Sequence, residues 1–208
     1  MVNGAAAAVS GQPAPTRPTG GAQPRADRTR RRIIDETVLC VLEEGFAAAS
    51  ANHVAERAGV TWGVIQYHFG SSNGLFSAVV EAGFAELISA TDGLRLPSGA
   101  PRERVRALVD TAWSAFSSST SRASLEILIA TRPGRELATE RQLADMARSL
   151  RRLGRSLGVS DSEAVGDLIW AFLRGLVMER MVVDGAFDSA RQRALLVDVL
   201  TGHIERSA

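Results

Sequence analysis

The stretch Thr61-Trp62-Gly63-Val64-Ile65-Gln66-Tyr67-His68-Phe69 sets two apolar residues, Ile65 and Phe69, four positions apart, so in a helix they share one face. Trp62, Gly63, Gln66 and Tyr67 are then left on the exposed side. A Gln amide can make a paired contact with adenine, Tyr and Thr hydroxyls can donate to phosphate, and a Trp can pack on thymine methyls or sugar. The rest of the chain offers little reactive chemistry. His53, His68 and His203 are far apart and in no metal-ligand spacing. Cys40 falls beside an apolar helix face, and no glycine-rich phosphate loop or Ser-His-Asp order occurs. No catalytic residue, metal or cofactor is expected, and the chain reads as a binding protein rather than an enzyme.

Such a face needs elements that hold it out. Ser50 can cap a short helix through Ala58, Gly59 breaks it with a positive φ, and Val60 plugs the turn into the core. Thr61 then caps a very short helix to about His68. Two helices joined by a tight glycine turn are the arrangement that presents the second helix to the DNA major groove. Ahead of them a helix from Arg28 carries Ile34, Val38, Val41 and Leu42 at helical spacing and stops at Gly45. Behind them Ser71 caps a longer helix, whose stripe Leu75, Phe76, Val79, Gly83, Phe84, Leu87 and Ile88 can pack the first three together. These elements make a domain over residues 27–90.

The run GFAAASANHVAERAGVTWGVIQYHFGSSNGLFSAVVEA resembles the N-terminal DNA-binding domain of the TetR family of bacterial transcriptional regulators. The likeness extends from Arg28 to roughly Ile88 and includes the Ala55-Glu56-Arg57-Ala58-Gly59-Val60 turn and the Tyr67-His68-Phe69 helix end. It departs from the family pattern at Trp62, where Lys is common, and at Gln66, where Tyr is common. By this resemblance Ser50 and Ala51 would face phosphate. Thr61, Trp62, Gly63, Val64, Gln66, Tyr67 and His68 would enter the groove.

Charge qualifies this reading. All 24 basic residues are Arg and nearly cancel 23 acidic ones, leaving +1, so any attraction to a polyanion must be local. Between residues 28 and 92 the arginines are outnumbered: Arg28, Arg30, Arg31, Arg32 and Arg57 face Asp35, Glu36, Glu43, Glu44, Glu56, Glu81, Glu86 and Asp92. At the N-terminal edge the balance reverses. Arg17, Arg25, Arg28, Arg30, Arg31 and Arg32 against Asp27 form a basic arm, and Arg28, Arg30 and Arg31 are expected to touch DNA. Residues 1–26, dominated by Ala, Gly, Pro, Ser, Thr and Gln, cannot bury enough apolar surface to order themselves and read as a disordered tail. No run of 18 apolar residues occurs, so no membrane-spanning helix is expected. The single cysteine leaves no intramolecular disulfide, and a reducing cytoplasm fits best.

Gly93, Pro97, Gly99 and Pro101 mark a loop, after which residues 101–208 read as a second, all-helical domain for regulation and dimerisation. Its helices are expected from about Val105 to Phe116, over Arg122–Thr131, along the stripe Leu143, Met146, Leu150, Leu153 and Leu157 closed by Gly158, from Asp161 or Ser162 to about Val183, and from Ser189 to the C-terminus. The fold class is all-α. The helix to Val183 has two apolar stripes, so it needs two burial partners. Val165, Ile169, Phe172 and Leu176, with Leu196 and Leu200 of the last helix, are assigned to an interface with a second copy. Trp113, Phe116, Leu128, Met146 and Trp170 can line a cavity for an apolar small molecule, with Arg132 anchoring an acidic group on it. The resemblance implies a homodimer on a palindromic operator, released by such an effector. The rival readings are a helix-turn-helix regulator without a ligand and a helical ligand-binding protein that does not bind DNA.

Overall fold

The computed structural model describes residues 22–131, 144–145, 147–149, 151–152, 154–159, 161–183 and 187–207. They form α1 (Ala22–Glu44), α2 (Ala51–Arg57), α3 (Trp62–Phe69), α4 (Ser72–Gly93), α5 (Pro101–Phe116) and α6 (Ser119–Ala130). Helical residues at 144–145, 147–149, 151–152 and 154–155, here α7, precede α8 (Ser162–Val182) and α9 (Ala190–Ser207). No strand occurs among the described residues, and the fold is all-α.

Local chemistry sets most of these boundaries. Gly45 at φ +82° ends α1 and Gly158 at φ +79° closes the α7 segment, as the sequence suggests. Ser50, Ser71 and Ser118 each accept a backbone N–H from three residues on, satisfying donors that the first turns of α2, α4 and α6 leave open. The Ser118 cap starts α6 at Ser119, three residues before the Arg122 expected from periodicity. Thr61 bounds α3 with an extended backbone but makes no side-chain cap bond. Helix α1 begins at Ala22, so residues 22–26, which composition assigns to a tail, are helical. Pro24 lies in the first turn, where its missing N–H costs nothing, and its carbonyl accepts the Arg28 Nε–H at 3.3 Å.

Helix α4 is the central element. By length and mean hydropathy of 1.3 it could cross a membrane, although no uninterrupted apolar run marks it in the sequence. Its apolar face is instead buried: Leu75, Val79, Val80, Phe84 and Leu87 pack among α1, α3, α5 and α6. It extends to Gly93, beyond the expected domain end, because Thr91 is buried and its hydroxyl hydrogen-bonds Leu87 O and Ser149 Oγ. Two glycines permit its close approaches. A Cβ at Gly74 would collide with the Phe69 carbonyl at the end of α3, and one at Gly83 would collide with Ser124 of α6.

Helix α6 packs against α4 and α1. The Ser124 hydroxyl donates to Val79 O of α4 at 2.9 Å, and Glu126 Oε1 accepts the Phe46 N–H just beyond α1 at 2.7 Å. On the other side α5 packs on α8 and α9. His203 Nε2 of α9 lies 2.8 Å from Asp161 Oδ2 at the start of α8, where the carboxylate makes this contact instead of capping the helix.

Candidate nucleic-acid interface

Ile65 of α3 is fully buried and Phe69 half-buried, so the pair assigned to the core by spacing does anchor this helix. Gly59, at φ +61°, makes the turn between α2 and α3, and Val60 packs partly against the core. The opposite face stands out: Tyr67 is 80% exposed and Trp62 38%, and Thr61, Gly63 and Gln66 are exposed. Val64 and His68 are half-buried at the edges. The Tyr67 and His68 rings meet edge-on at 5.0 Å, which orients the tyrosine outward from a fixed base. The Arg30 guanidinium lies over the Phe69 ring at 5.1 Å and so links α1 to the end of α3.

One sequence assignment changes here and one residue is added. Ala51 is buried, with 6% exposure, because it packs α2 into the core, so its side chain cannot face phosphate. Asn52, next in the chain and absent from the sequence assignment, is exposed beside Ser50 and offers two amide donors. Spacing could have found it, since Ala51, Val54 and Ala55 fall on one helical face and Asn52 falls off it.

The acidic balance of this half acquires a structural cause. Arg57 pairs with Glu43 Oε2 at 2.7 Å, with Glu44, and with Glu36 Oε2 at 3.5 Å, joining α2 to α1. The hydrogen bonds that its guanidinium donates to Glu43 and Glu44 hold its pKa above the ordinary arginine value. Glu44 is held low by hydrogen bonds from His53 and then Arg57. Several acidic residues are thus engaged inside the helix-turn-helix unit. Arg28, Arg31 and Arg32 are exposed and have no carboxylate partner among the described residues. Their charge is available to phosphate.

The same corner corrects the expectation that no histidine has metal-ligand company. Ligand atoms of Cys40, Glu44 and His53 lie within 4.8 Å of one another, across α1 and α2, where linear spacing does not reveal them. Burial pushes the Cys40 thiol up and the Glu44 carboxylate adds to that effect. Both Glu44 oxygens are already taken by His53 and Arg57, so the group is described by its ion pairs.

Of the residues assigned to a small-molecule cavity, Phe116, Leu128 and Trp170 line one of about 290 Å³ between α4, α5, α6 and α8. Phe116 and Trp170 pack ring to ring at 4.7 Å. Trp113 lies elsewhere, since the Arg193 guanidinium of α9 covers its ring at 5.2 Å. Arg132 and Met146 lie outside the described residues. Gly83, Ser121, Leu125 and Arg174 also form the wall and were not foreseen.

The residues assigned to a subunit interface are mostly internal. Val165, Ile169, Leu176, Leu196 and Leu200 are each at most 6% exposed in the single chain, and Phe172 is half-buried. They fill the core that α8 and α9 form with their own chain, so a second copy cannot cover them. The second stripe of α8, Trp170, Leu173, Val177 and Met181, is also turned inward, with Leu173 and Val177 buried and Trp170 and Met181 packed against the core; the exposed apolar residues lie on a third face, Leu168, Met178 and Val182, with Leu195 and Val199 exposed on α9.

Comparisons agree with this geometry. Residues 33–79 match the family model described as bacterial regulatory proteins, tetR family. The chain is 25% identical over 190 residues to the HTH-type transcriptional regulator BetI of Escherichia coli K12, covering 84% of this chain and 93% of that protein. It is 34% identical over 101 residues to the HTH-type transcriptional repressor NicS of Pseudomonas putida, covering 49% and 48%. Among solved structures, a transcriptional regulator from Rhodococcus sp. Rha1 superposes with a TM-score of 0.66 at 20% identity, covering 85% of this chain and 96% of that one. The multidrug binding protein EbrR, complexed with imidazole, superposes with a TM-score of 0.57 at 24% identity over 88% and 97%. An exposed recognition face on a glycine-turned helix pair, together with these likenesses, identifies residues 33–79 as a helix-turn-helix DNA-binding unit of the TetR type.

Proposed function

We propose that the protein is a cytoplasmic repressor that binds a palindromic operator as a homodimer and is released when a small molecule enters the α4–α5–α6–α8 cavity. The observation that carries this reading is the coexistence of two unpartnered faces of different chemistry. One is the polar and aromatic face of α3; the other is the apolar face of α8 and α9. Two copies joined through Leu168, Met178, Val182, Leu195 and Val199 would present two α3 helices to successive major grooves, about 34 to 36 Å apart. Residues 27–90 then serve as the reading head and 101–208 as the regulatory body. Trp62, Gln66 and Tyr67 read base edges, Thr61 and Asn52 donate to phosphate, and Arg28 and Arg31 neutralise backbone charge.

Helix α6 supplies the coupling. It lines the cavity through Ser121, Ser124 and Leu128, and it is hydrogen-bonded to α4 and to the end of α1. A ligand that shifts α6 therefore shifts the elements that carry α3. Only differential affinity for the two head spacings is required, and about 1 to 3 kcal/mol changes operator binding by about 5- to 150-fold. The test is reciprocity: operator DNA must weaken the effector by the same factor as the effector weakens operator. One effector affinity with and without operator would refute release by ligand.

A further inference from the structure

The walls of the cavity specify more than apolar contact. Resting on the ligand reading above, we infer that its effector is an aromatic or aliphatic carboxylic acid whose carboxylate is anchored by Arg174. Phe84, Phe116 and Trp170 supply flat apolar surface. Among the described residues that line the cavity Arg174 is the single charged one, and its guanidinium lies over the Trp170 ring at 5.4 Å. Stacking fixes the planar fork at the edge of the apolar space, where a carboxylate at the end of an apolar skeleton can meet it. Arg174 is exposed at the cavity mouth, and no carboxylate pairs with it among the described residues, so its guanidinium is accessible to an incoming carboxylate.

Two further features have the same sign. Ser121 on the wall is 7% exposed and its hydroxyl has no partner among the described residues, which leaves a donor for a ligand oxygen. Next to it Arg122 is also without a carboxylate partner among the described residues, and its Nε is buried and unpaired. Burial and then the charge of Arg180 on α8 lower the Arg122 pKa, so α6 and α8 present positive charge to each other across this region. At the wall itself, a cationic ligand would meet repulsion from Arg174, and a neutral hydrocarbon would leave the Ser121 hydroxyl without a partner. The anchor that the sequence places at Arg132 is thus assigned to a residue two helices later.

The experiment is calorimetric titration of the full chain with phenylbutyrate, phenylbutyramide and phenylbutylamine, three probes that share a skeleton and differ in charge. The acid is expected to bind at least about tenfold more tightly than the amide, and the amine more weakly still. In Arg174→Gln the acid should fall to the level of the amide while the amide is unchanged, and Arg174→Lys should recover part of the difference. Leu128→Trp, which fills the cavity, should abolish binding of both while its melting transition stays cooperative. Equal binding of acid and amide, both lost in Leu128→Trp, would overturn the anion assignment and leave the cavity reading standing. Binding that survives Leu128→Trp, or no binding of any probe, would overturn both.

Discussion

At the scale of single residues, the reading face of α3 follows from helical period alone. Ile65 must point inward if the helix is to pack, and Trp62, Gln66 and Tyr67 then point outward; both statements hold in the structure. Removing one donor or acceptor from a base contact leaves its partner unsatisfied, so Tyr67→Phe and Gln66→Ala should each weaken specific DNA binding by about 1 to 3 kcal/mol. Their melting temperatures should match the native chain, because both side chains are exposed. Fluorescence anisotropy and thermal melting together check the separation, and unchanged affinity in both would mean that another surface reads the DNA. Arg57→Ala is expected to behave in the opposite way, lowering the melting temperature by releasing α2 from α1. Ala51 and Asn52 show where residue type misleads. A resemblance assigns Ala51 to phosphate, whereas helical spacing sets Ala51 on one face with Val54 and Ala55 and turns its neighbour Asn52 outward.

Among the elements, capping and glycine positions were largely legible. Ser50, Ser71, Gly45, Gly59 and Gly158 act where their chemistry places them. Helix starts without a strong local signal were not: α1 runs back to Ala22, and α6 begins at Ser119 because the Ser118 hydroxyl, one of several serines in a row, accepts the Ser121 N–H. Gly59→Ala forces a side chain into the left-handed region, and the chain should lose about 1 kcal/mol of stability by denaturant unfolding. Gly74→Ala should cost more, about 1 to 3 kcal/mol, since the obstacle is the Phe69 backbone carbonyl. The α8–α9 junction adds a pH-dependent contribution. The hydrogen bond from His203 holds Asp161 below its ordinary 3.8, so the stabilisation is present above pH 3.8 and is lost as the pH falls through the lowered folded value. Melting temperatures of the native chain and Asp161→Asn should differ above that range and converge beneath it.

For the whole molecule, the sequence shows two apolar stripes on α8 and assigns one of them to a second copy, whereas both are turned into the chain's own core. How much of α8 its own chain covers rests on packing against distant elements such as α5, which is a long-range fact that period alone does not contain. The structure puts Val165, Ile169 and Leu176 inside and leaves Leu168, Met178 and Val182 outside. Met178→Asp combined with Leu195→Asp should therefore yield a folded monomer by light scattering, with helicity unchanged and operator affinity lost. The corresponding change at Ile169 should unfold the chain, because it buries a charge in the core.

The measurement that tests the central claim most directly is selection of bound sequences from random duplex DNA by the purified protein at two salt concentrations. A dimer reading through α3 predicts a two-fold symmetric motif with half-sites about one helical turn apart, retained at the higher salt and lost in the Met178→Asp and Leu195→Asp double variant. Enrichment of a motif without two-fold symmetry, or binding that disappears with salt and leaves no motif, would contradict it.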